Sequence, residues 1–339
     1  MQRIAIIGAG AVGCGLGFLL NRSGREVTLI GRADQVEAIQ TDGLKVEGYA
    51  GEQTVKIPAA ERLDFKPDLV LLAVKTQDVV VALRENLTLI TGVPVITMQN
   101  GVRSDNLVAG MLPREEIFSA VVLLHANYLA PGSVTLMYEG GLIVGRPFGT
   151  RDSLLEEAVE ILNQATPTRI SDNIRGTHWL KLITNLNNAL PALIDGTFHQ
   201  VYGDPFLASL AIRIMREGLK TARKAGIRLE SLPDVSVGLT RLVNFLPVKV
   251  AAKVAAARVD RMKTPWPLLG STLQSLRRNR PTEIDYLNGE VVELGKKTGV
   301  PTPLNARIVE LVHRVEQTGT FFTVDEVRRK FLDMERVGS

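Results

Sequence analysis

The chain has 339 residues, 45% hydrophobic and 22% charged, a balance that excludes a disordered chain and is too long for one hydrophobic core. Lys+Arg of 40 against Asp+Glu of 36 leaves a net charge of +4. With no basic run, that points away from nucleic acid and is compatible with an anionic small ligand. The single cysteine, Cys14, rules out an internal disulfide and fits a reducing compartment, so a cytoplasmic protein is expected.

Met1 runs almost directly into a strand pattern, so no signal peptide is expected. No apolar run reaches about 18 residues, so no membrane span is expected either. His125, His178, His199 and His313 lack the close spacings of a zinc site and read as surface or packing residues. No metal is expected.

In chain order, "RIAIIG", "EVTLIG", "DLVLLAV" and "VPVITM" are continuous apolar runs, the pattern of parallel strands buried on both faces. A good helix pattern, Ala11 to Arg22, joins the first two and predicts a right-handed strand–helix–strand unit. "LKVEG" and "QTVKI" predict a small hairpin before the third main strand. "FSAVVLL", "GSVTLMY" and "LIVG" continue the strands to about Gly145. From Leu154 onward the patterns read as helical almost to the end. The expected architecture is α/β: an N-terminal Rossmann-type doubly wound sheet over residues 1–170, then an all-α domain over 171–339.

The first strand runs into Gly8-Ala9-Gly10-Ala11-Val12-Gly13, which opens the first helix. Gly8 permits a tight turn, Gly10 lets a pyrophosphate reach the backbone, and Gly13 lets helix and strand pack closely. Ala11 and Val12 begin the helix whose free N–H groups would face the phosphates. An NAD-specific fold usually carries an acidic residue where the second strand ends. This chain has Gly31 and Arg32 there, with Asp34 slightly beyond, so NADP(H) is favoured through Arg32 and a 2′-phosphate. Arg32 could instead be a plain loop residue. Lys75 in "AVKTQD" and Asn100 in "TMQNG" lie just past two further strands, where ligands of open α/β sheets gather. Read from the residues alone, both are equally consistent with loop positions that touch no ligand.

Trp179 to Leu193, "WLKLITNLNNALPAL", predicts an amphipathic helix. Trp179, Leu182, Ile183, Leu186, Leu190 and Leu193 form its apolar side. Lys181, Asn185 and Asn188 share a stripe on roughly the opposite side, and Asn187 falls away from it. An ammonium there could protonate a carbonyl oxygen, and carboxamides could hold a small polar acid; a solvated helix face is the alternative. Pro191 should end or kink the helix. Further on, Thr282 and Asp285 read as a capping box that puts Glu283 in a first helical turn, with Gly299 as the stop.

"IIGAGAVG", "AVKTQD", "QNGV", "WLKLITN" and "RPTEIDYLNGEVVELGKKTGVPTPLN" together resemble the ketopantoate reductase (2-dehydropantoate 2-reductase) family over essentially the whole chain. The resemblance implies NADPH-dependent reduction of a 2-oxo acid to a 2-hydroxy acid, with 2-dehydropantoate to (R)-pantoate, a step of pantothenate biosynthesis, as the leading pair. It implies Lys181 as general acid and Glu283 as partner of a substrate hydroxyl. Asn100, Asn185 and Ser271 would line the substrate site with Asn188. Gly8, Gly10, Gly13, Arg32 and Lys75 match the cofactor positions. The chain departs from the family pattern where Ala189 replaces an asparagine that here stands at Asn188, and at Asp78 and Ser275. Another 2-oxo acid, or an NADPH sensor without catalysis, are the alternatives. The helical domain could also offer a homodimer face.

Overall fold

A computed structural model describes residues 1–261 and 269–337 of the chain. They form two compact units, Met1–His178 and Trp179–Ser339.

The first unit carries strands β1 (Arg3–Ile7), β2 (Glu26–Ile30), β3 (Leu44–Gly48), β4 (Gln53–Val55), β5 (Ala59–Ala60), β6 (Leu69–Leu72), β7 (Val95–Thr97), β8 (Ile117–Val122), β9 (His125–Ala130), β10 (Ser133–Tyr138), β11 (Leu142–Gly145) and β12 (Thr168–Ile170). Its helices are α1 (Ala11–Arg22), α2 (Ala33–Asp42), α3 (Val79–Ile90), α4 (Ser104–Ala109) and α5 (Ser153–Asn163). An 8-stranded sheet runs β12-β11-β8-β7-β6-β1-β2-β5, parallel except where β11 meets β8. The apolar runs form its centre because strands covered by helices on both faces must be apolar on both sides. All of β6 and β8 is buried.

From β1 the chain winds one way to β2 and β5, then returns to β6, β7 and β8 on the other side of β1. The topological switch point therefore lies between β1 and β6. The predicted hairpin is present as β3 and β4, but it belongs to a second, 4-stranded sheet, β4-β3-β10-β9. Helix α1 packs against strands of both sheets, and its glycines allow it. A Cβ at Gly17 would press on Leu29 of β2, and one at Gly15 on Leu136 of β10.

One element corrects the expectation that the chain is helical beyond Leu154. Thr168–Ile170 is the strand β12, paired in parallel with β11 at Leu142↔Thr168 and Val144↔Ile170. Three residues are too short to show a strand period, and the pairing partner supplies what the sequence pattern does not.

Helix α6 (Ile174–Asn185) leads into the second unit, which continues with α7 (Ala189–Leu193), α8 (Phe198–Gly203), α9 (Pro205–Lys224), α10 (Val237–Phe245), α11 (Val248–Arg261), α12 (Ser271–Arg277), α13 (Asn288–Thr298), α14 (Pro303–Thr318) and α15 (Val324–Val337). Helix α9 is central, with α8, α11, α13, α14 and α15 against it. Asp204 caps it by accepting from the Phe206 and Leu207 N–H groups, both at 2.9 Å, with Pro205 at its first position. Gly299 (φ 69°) and Gly319 (φ 65°) stop α13 and α14 in the left-handed conformation that glycine adopts without penalty. Among the described residues no helix is long and apolar enough to cross a membrane.

Candidate active site

The first unit gathers its candidate residues at the carboxyl ends of parallel strands. Gly8 follows β1 with φ 116°, a conformation closed to side chains, and its N–H donates to Ile30 O at 2.8 Å. A Cβ at Gly8 would overlap the Ala73–Val74 backbone past β6, so turn and neighbouring strand end are in contact. A Cβ at Gly13 would overlap the Gly8 carbonyl oxygen. At Gly10 a Cβ would meet nothing within 4 Å. The three glycines thus divide as the motif requires: Gly8 for the turn, Gly13 for packing, and Gly10 bordering open space that a phosphate can enter. Ala11 and Val12 begin α1 directly behind Gly10.

Arg32 follows β2 as the residue before α2 and stays exposed, with its Nε 3.8 Å from Asp34. An ion pair that loose and open contributes little and leaves the guanidinium able to meet a phosphate. Lys75 follows β6 and is half-buried. Asn100 follows β7, and its carbonyl accepts from Thr76 Oγ1 at 3.3 Å, tying the two strand-end loops together. Beneath it, Gln99 Nε2 donates to Leu72 O at 2.7 Å and Val74 O at 3.0 Å. These residues fit a dinucleotide, since backbone turn, open approach and cation lie along one sheet edge.

A buried polar cluster that sequence reasoning missed underlies the Asn100 loop. Asp105 accepts from Thr97 Oγ1 at 2.5 Å and Ser119 Oγ at 2.8 Å, and Ser119 Oγ lies 2.8 Å from His178 Nε2. His178 is therefore a buried network member and not a plain packing residue. Cys14, buried and contacted by Gln35 Nε2 at 3.2 Å, has its thiol pushed up to about 12 by burial, against the Gln35 hydrogen bond. That thiol is inert at neutral pH.

In the second unit the predicted helix is broken. Helix α6 ends at Asn185, a 3₁₀ turn spans Leu186–Asn188, and α7 continues through Pro191. Proline lacks an N–H and crowds the carbonyl four residues back, here Asn187. The break falls there, one turn upstream of Pro191. Asn288 Nδ2 donates to Leu186 O at 3.3 Å and to Asn305 Oδ1 at 3.0 Å. Asn305 Nδ2 in turn donates to Glu217 at 2.7 Å. This buried chain of amides serves a turn whose helical bonding is interrupted. Asn187, as expected, leaves the stripe: it is buried and donates to Tyr202 Oη at 3.0 Å.

Lys181 is half-buried, with Asn185 one turn on. Burial lowers the Lys181 pKa from 10.5 to about 8, and the charge of Glu283 opposes that fall. The two side chains, 102 positions apart in sequence (283 − 181), are thus brought into electrostatic reach. Asn188 is half-exposed and Ala189 fully buried, and a Cβ at Gly270 would lie 3.2 Å from Asn188 Cβ. Asn188 therefore adjoins Gly270, the residue before Ser271, which is the exposed first residue of α12.

The predicted capping box does not form. Thr282 Oγ1 accepts from Ile284 N at 3.2 Å, while Asp285 Oδ1 lies 3.0 Å from His313 Nε2. Only a 3₁₀ turn, Ile284–Tyr286, follows, and Leu287 (φ −113°, ψ −93°) separates it from α13. Glu283 stands before that turn and not in a first helical turn of α13. His313, read as a surface or packing residue, bridges two carboxylates.

This is the fold of a Rossmann-type oxidoreductase with an appended helical unit, and comparison with known proteins specifies it further. The model of ketopantoate reductase PanE/ApbA matches residues 4–147, and that of its C-terminal part matches 173–316. The chain belongs to the ketopantoate reductase family. A 2-dehydropantoate 2-reductase of Pyrococcus horikoshii is 29% identical over 94% of this chain and 99% of its own length. The crystal structure of a PanE/ApbA family ketopantoate reductase from Ralstonia eutropha superposes with a TM-score of 0.78 at 31% identity, covering 93% of this chain and 99% of that one. The ternary structure of D-mandelate dehydrogenase with NADH and anilino(oxo)acetate has a TM-score of 0.81 at 26% identity, over 94% and 99% of the two chains.

Proposed function

We propose that this protein reduces a 2-oxo acid to the 2-hydroxy acid with NADPH, and that 2-dehydropantoate to (R)-pantoate is the leading pair. The observation that carries this reading is Lys181, an ammonium with a pKa near 8 held beside Glu283. A lysine in that range is still protonated at neutral pH yet gives up its proton far more readily than a free one. The dinucleotide, when bound by the Gly8–Gly13 turn, Lys75, Asn100 and Arg32, supplies the hydride.

Lys181 donates its proton to the substrate oxygen as the carbonyl becomes a hydroxyl, which cancels the developing negative charge. Glu283 accepts a hydrogen bond from the substrate's own hydroxyl and sustains the charge on Lys181. Asn185, Asn188 and Ser271 offer amide and hydroxyl groups to the carboxylate end, and Asn100 to the carbonyl end. Arg32 supports NADPH over NADH, since it stands where an NAD enzyme carries an acid.

A second reading keeps the chemistry and changes the acid. Asn188 is half-exposed beside Gly270, the residue before Ser271, while Ala189 is sealed in the core, so this chain presents its amide from a shifted position. The likeness to D-mandelate dehydrogenase, whose structure holds anilino(oxo)acetate and NADH, favours testing aryl-bearing 2-oxo acids and both cofactors.

The test is NADPH oxidation by the purified protein across a panel of 2-oxo acids, with Lys181→Ala as control. Turnover in that variant should fall roughly 10²–10⁴-fold while NADPH affinity persists. Wild-type turnover should decline above about pH 8, as Lys181 loses its proton. Near-normal turnover in Lys181→Ala sinks the assignment. Tight NADPH binding with no turnover on any acid would favour a sensor instead.

A further inference from the structure

Glu283 lies in irregular backbone (φ −99°, ψ 25°), so no regular helix fixes its direction. The segment around it is instead tied to α14 on both sides. Before Glu283, the Thr282 N–H donates to Glu316 Oε1 at 2.7 Å. After it, Asp285 Oδ1 meets His313 Nε2 at 3.0 Å. The two ties are joined, because His313 Nδ1 lies 2.7 Å from Glu316 Oε2. His313 and Glu316 are one turn apart on α14, so one rigid helix holds both anchors.

Each oxygen of Glu316 has its own task, and each nitrogen of the imidazole faces a different carboxylate. Ionised carboxylates only accept, so both ring contacts are hydrogen bonds when both nitrogens carry protons. Such charge-assisted bonds are stronger than neutral ones.

We propose that His313 and Glu316 are positioning residues that hold Glu283 at its working place relative to Lys181. This rests on the reading of Lys181 and Glu283 given above, and it adds two residues that act only through Glu283. The protonation states agree. Burial alone would lower the His313 pKa, but its bonds to Glu316 and Asp285 and the charges of both raise it. Burial would raise that of Glu316, but the Thr282 and His313 contacts bring it below the usual value. If the clamp opens, the segment that carries Glu283 loses both ties to α14, and two readouts should move together. Substrate binding weakens, and the ammonium of Lys181 loses the charge that sustains it.

The experiment uses the full chain with NADPH and 2-dehydropantoate, or the panel acid that turns over fastest. In His313→Gln and Glu316→Gln, the KM for the acid should rise about tenfold with NADPH affinity unchanged. The alkaline limb of their kcat profile should move to lower pH, which a general loss of stability would not produce. Asp285 is exposed, so its variants test the clamp even if the α14 variants fold poorly. Asp285→Asn keeps an acceptor for His313 and should stay near wild type, whereas Asp285→Ala should repeat the defect. Wild-type KM and an unmoved limb in folded His313→Gln and Asp285→Ala would overturn the proposal. Full activity in Lys181→Ala and Glu283→Gln would overturn the underlying site assignment instead. Collapse of those two beside wild-type clamp variants would reject the clamp alone.

Discussion

Single residues decide different things within one short turn. Gly13 is required by packing, since a Cβ there would overlap the Gly8 carbonyl oxygen. Gly10 is not, because a Cβ meets nothing within 4 Å and its φ of −86° suits any residue. Gly13→Ala should therefore lower stability by about 1–3 kcal/mol in urea unfolding. Gly10→Ala should unfold like the wild type but bind NADPH at least about tenfold more weakly in a fluorescence titration, because the methyl stands where the pyrophosphate approaches. Unchanged NADPH affinity in folded Gly10→Ala would remove this turn from the cofactor site. These glycines were legible in the sequence because strand, turn and helix follow one another directly between Arg3 and Arg22 and the constraint is local. His313 was not. Helix spacing pairs it with Glu316, but its second partner, Asp285, comes from a distant turn, and no spacing rule joins all three before folding.

At the scale of elements, the predicted stripe Lys181, Asn185, Asn188 crosses a break in its helix, with the first two on α6 and the third in the 3₁₀ turn. Periodicity places the three on one side, and Pro191 warns of an interruption. What periodicity does not give is the element that accommodates the break. Asn288, fully buried, reaches Leu186 O from α13, and Asn305 and Glu217 complete the chain. Burial raises the Glu217 pKa against the hydrogen bonds it accepts from Leu304 and Asn305. Asn288→Ala removes the donor shared by Leu186 O and Asn305 Oδ1. Stability should fall by about 2–3 kcal/mol, measured by urea unfolding, and turnover should fall with it as Asn185 and Asn188 shift. A loss under about 0.5 kcal/mol would mean that the turn holds itself. The failed capping box teaches the complementary lesson. Thr282 and Asp285 have the right types and spacing, but each finds a better tertiary partner, and α13 starts later, at Asn288.

At the scale of the whole molecule, the role proposed for Lys181 carries a cost in stability. Its folded pKa of about 8 lies below the usual 10.5, so between those values the unfolded chain binds more protons than the folded one. Stability contributed by this group therefore rises with pH across that window, and below about pH 8 the folded protein carries the full penalty of an ammonium partly withdrawn from water. The penalty is about 3 kcal/mol. Lys181→Met should accordingly raise the urea midpoint at pH 7 while lowering turnover as Lys181→Ala does, and its stability advantage should shrink as the pH approaches 10. An equal gain at both ends of that range would show that packing, not charge, is responsible. A chain that keeps a destabilising residue does so where the residue has work to do.

The Rossmann-type sheet, the glycine turn and the two-part architecture can be read before folding, because each rests on a local period or a local steric rule. Tertiary structure alone decided the edge strand β12, the interrupted α6–α7 helix and the setting of Glu283. In each case the deciding contact comes from a residue remote in the chain: β11 for β12, Asn288 for the turn, and His313 with Glu316 for Glu283. Such contacts depend on which buried polar groups find partners once the core has closed, and that accounting has no counterpart in a local pattern.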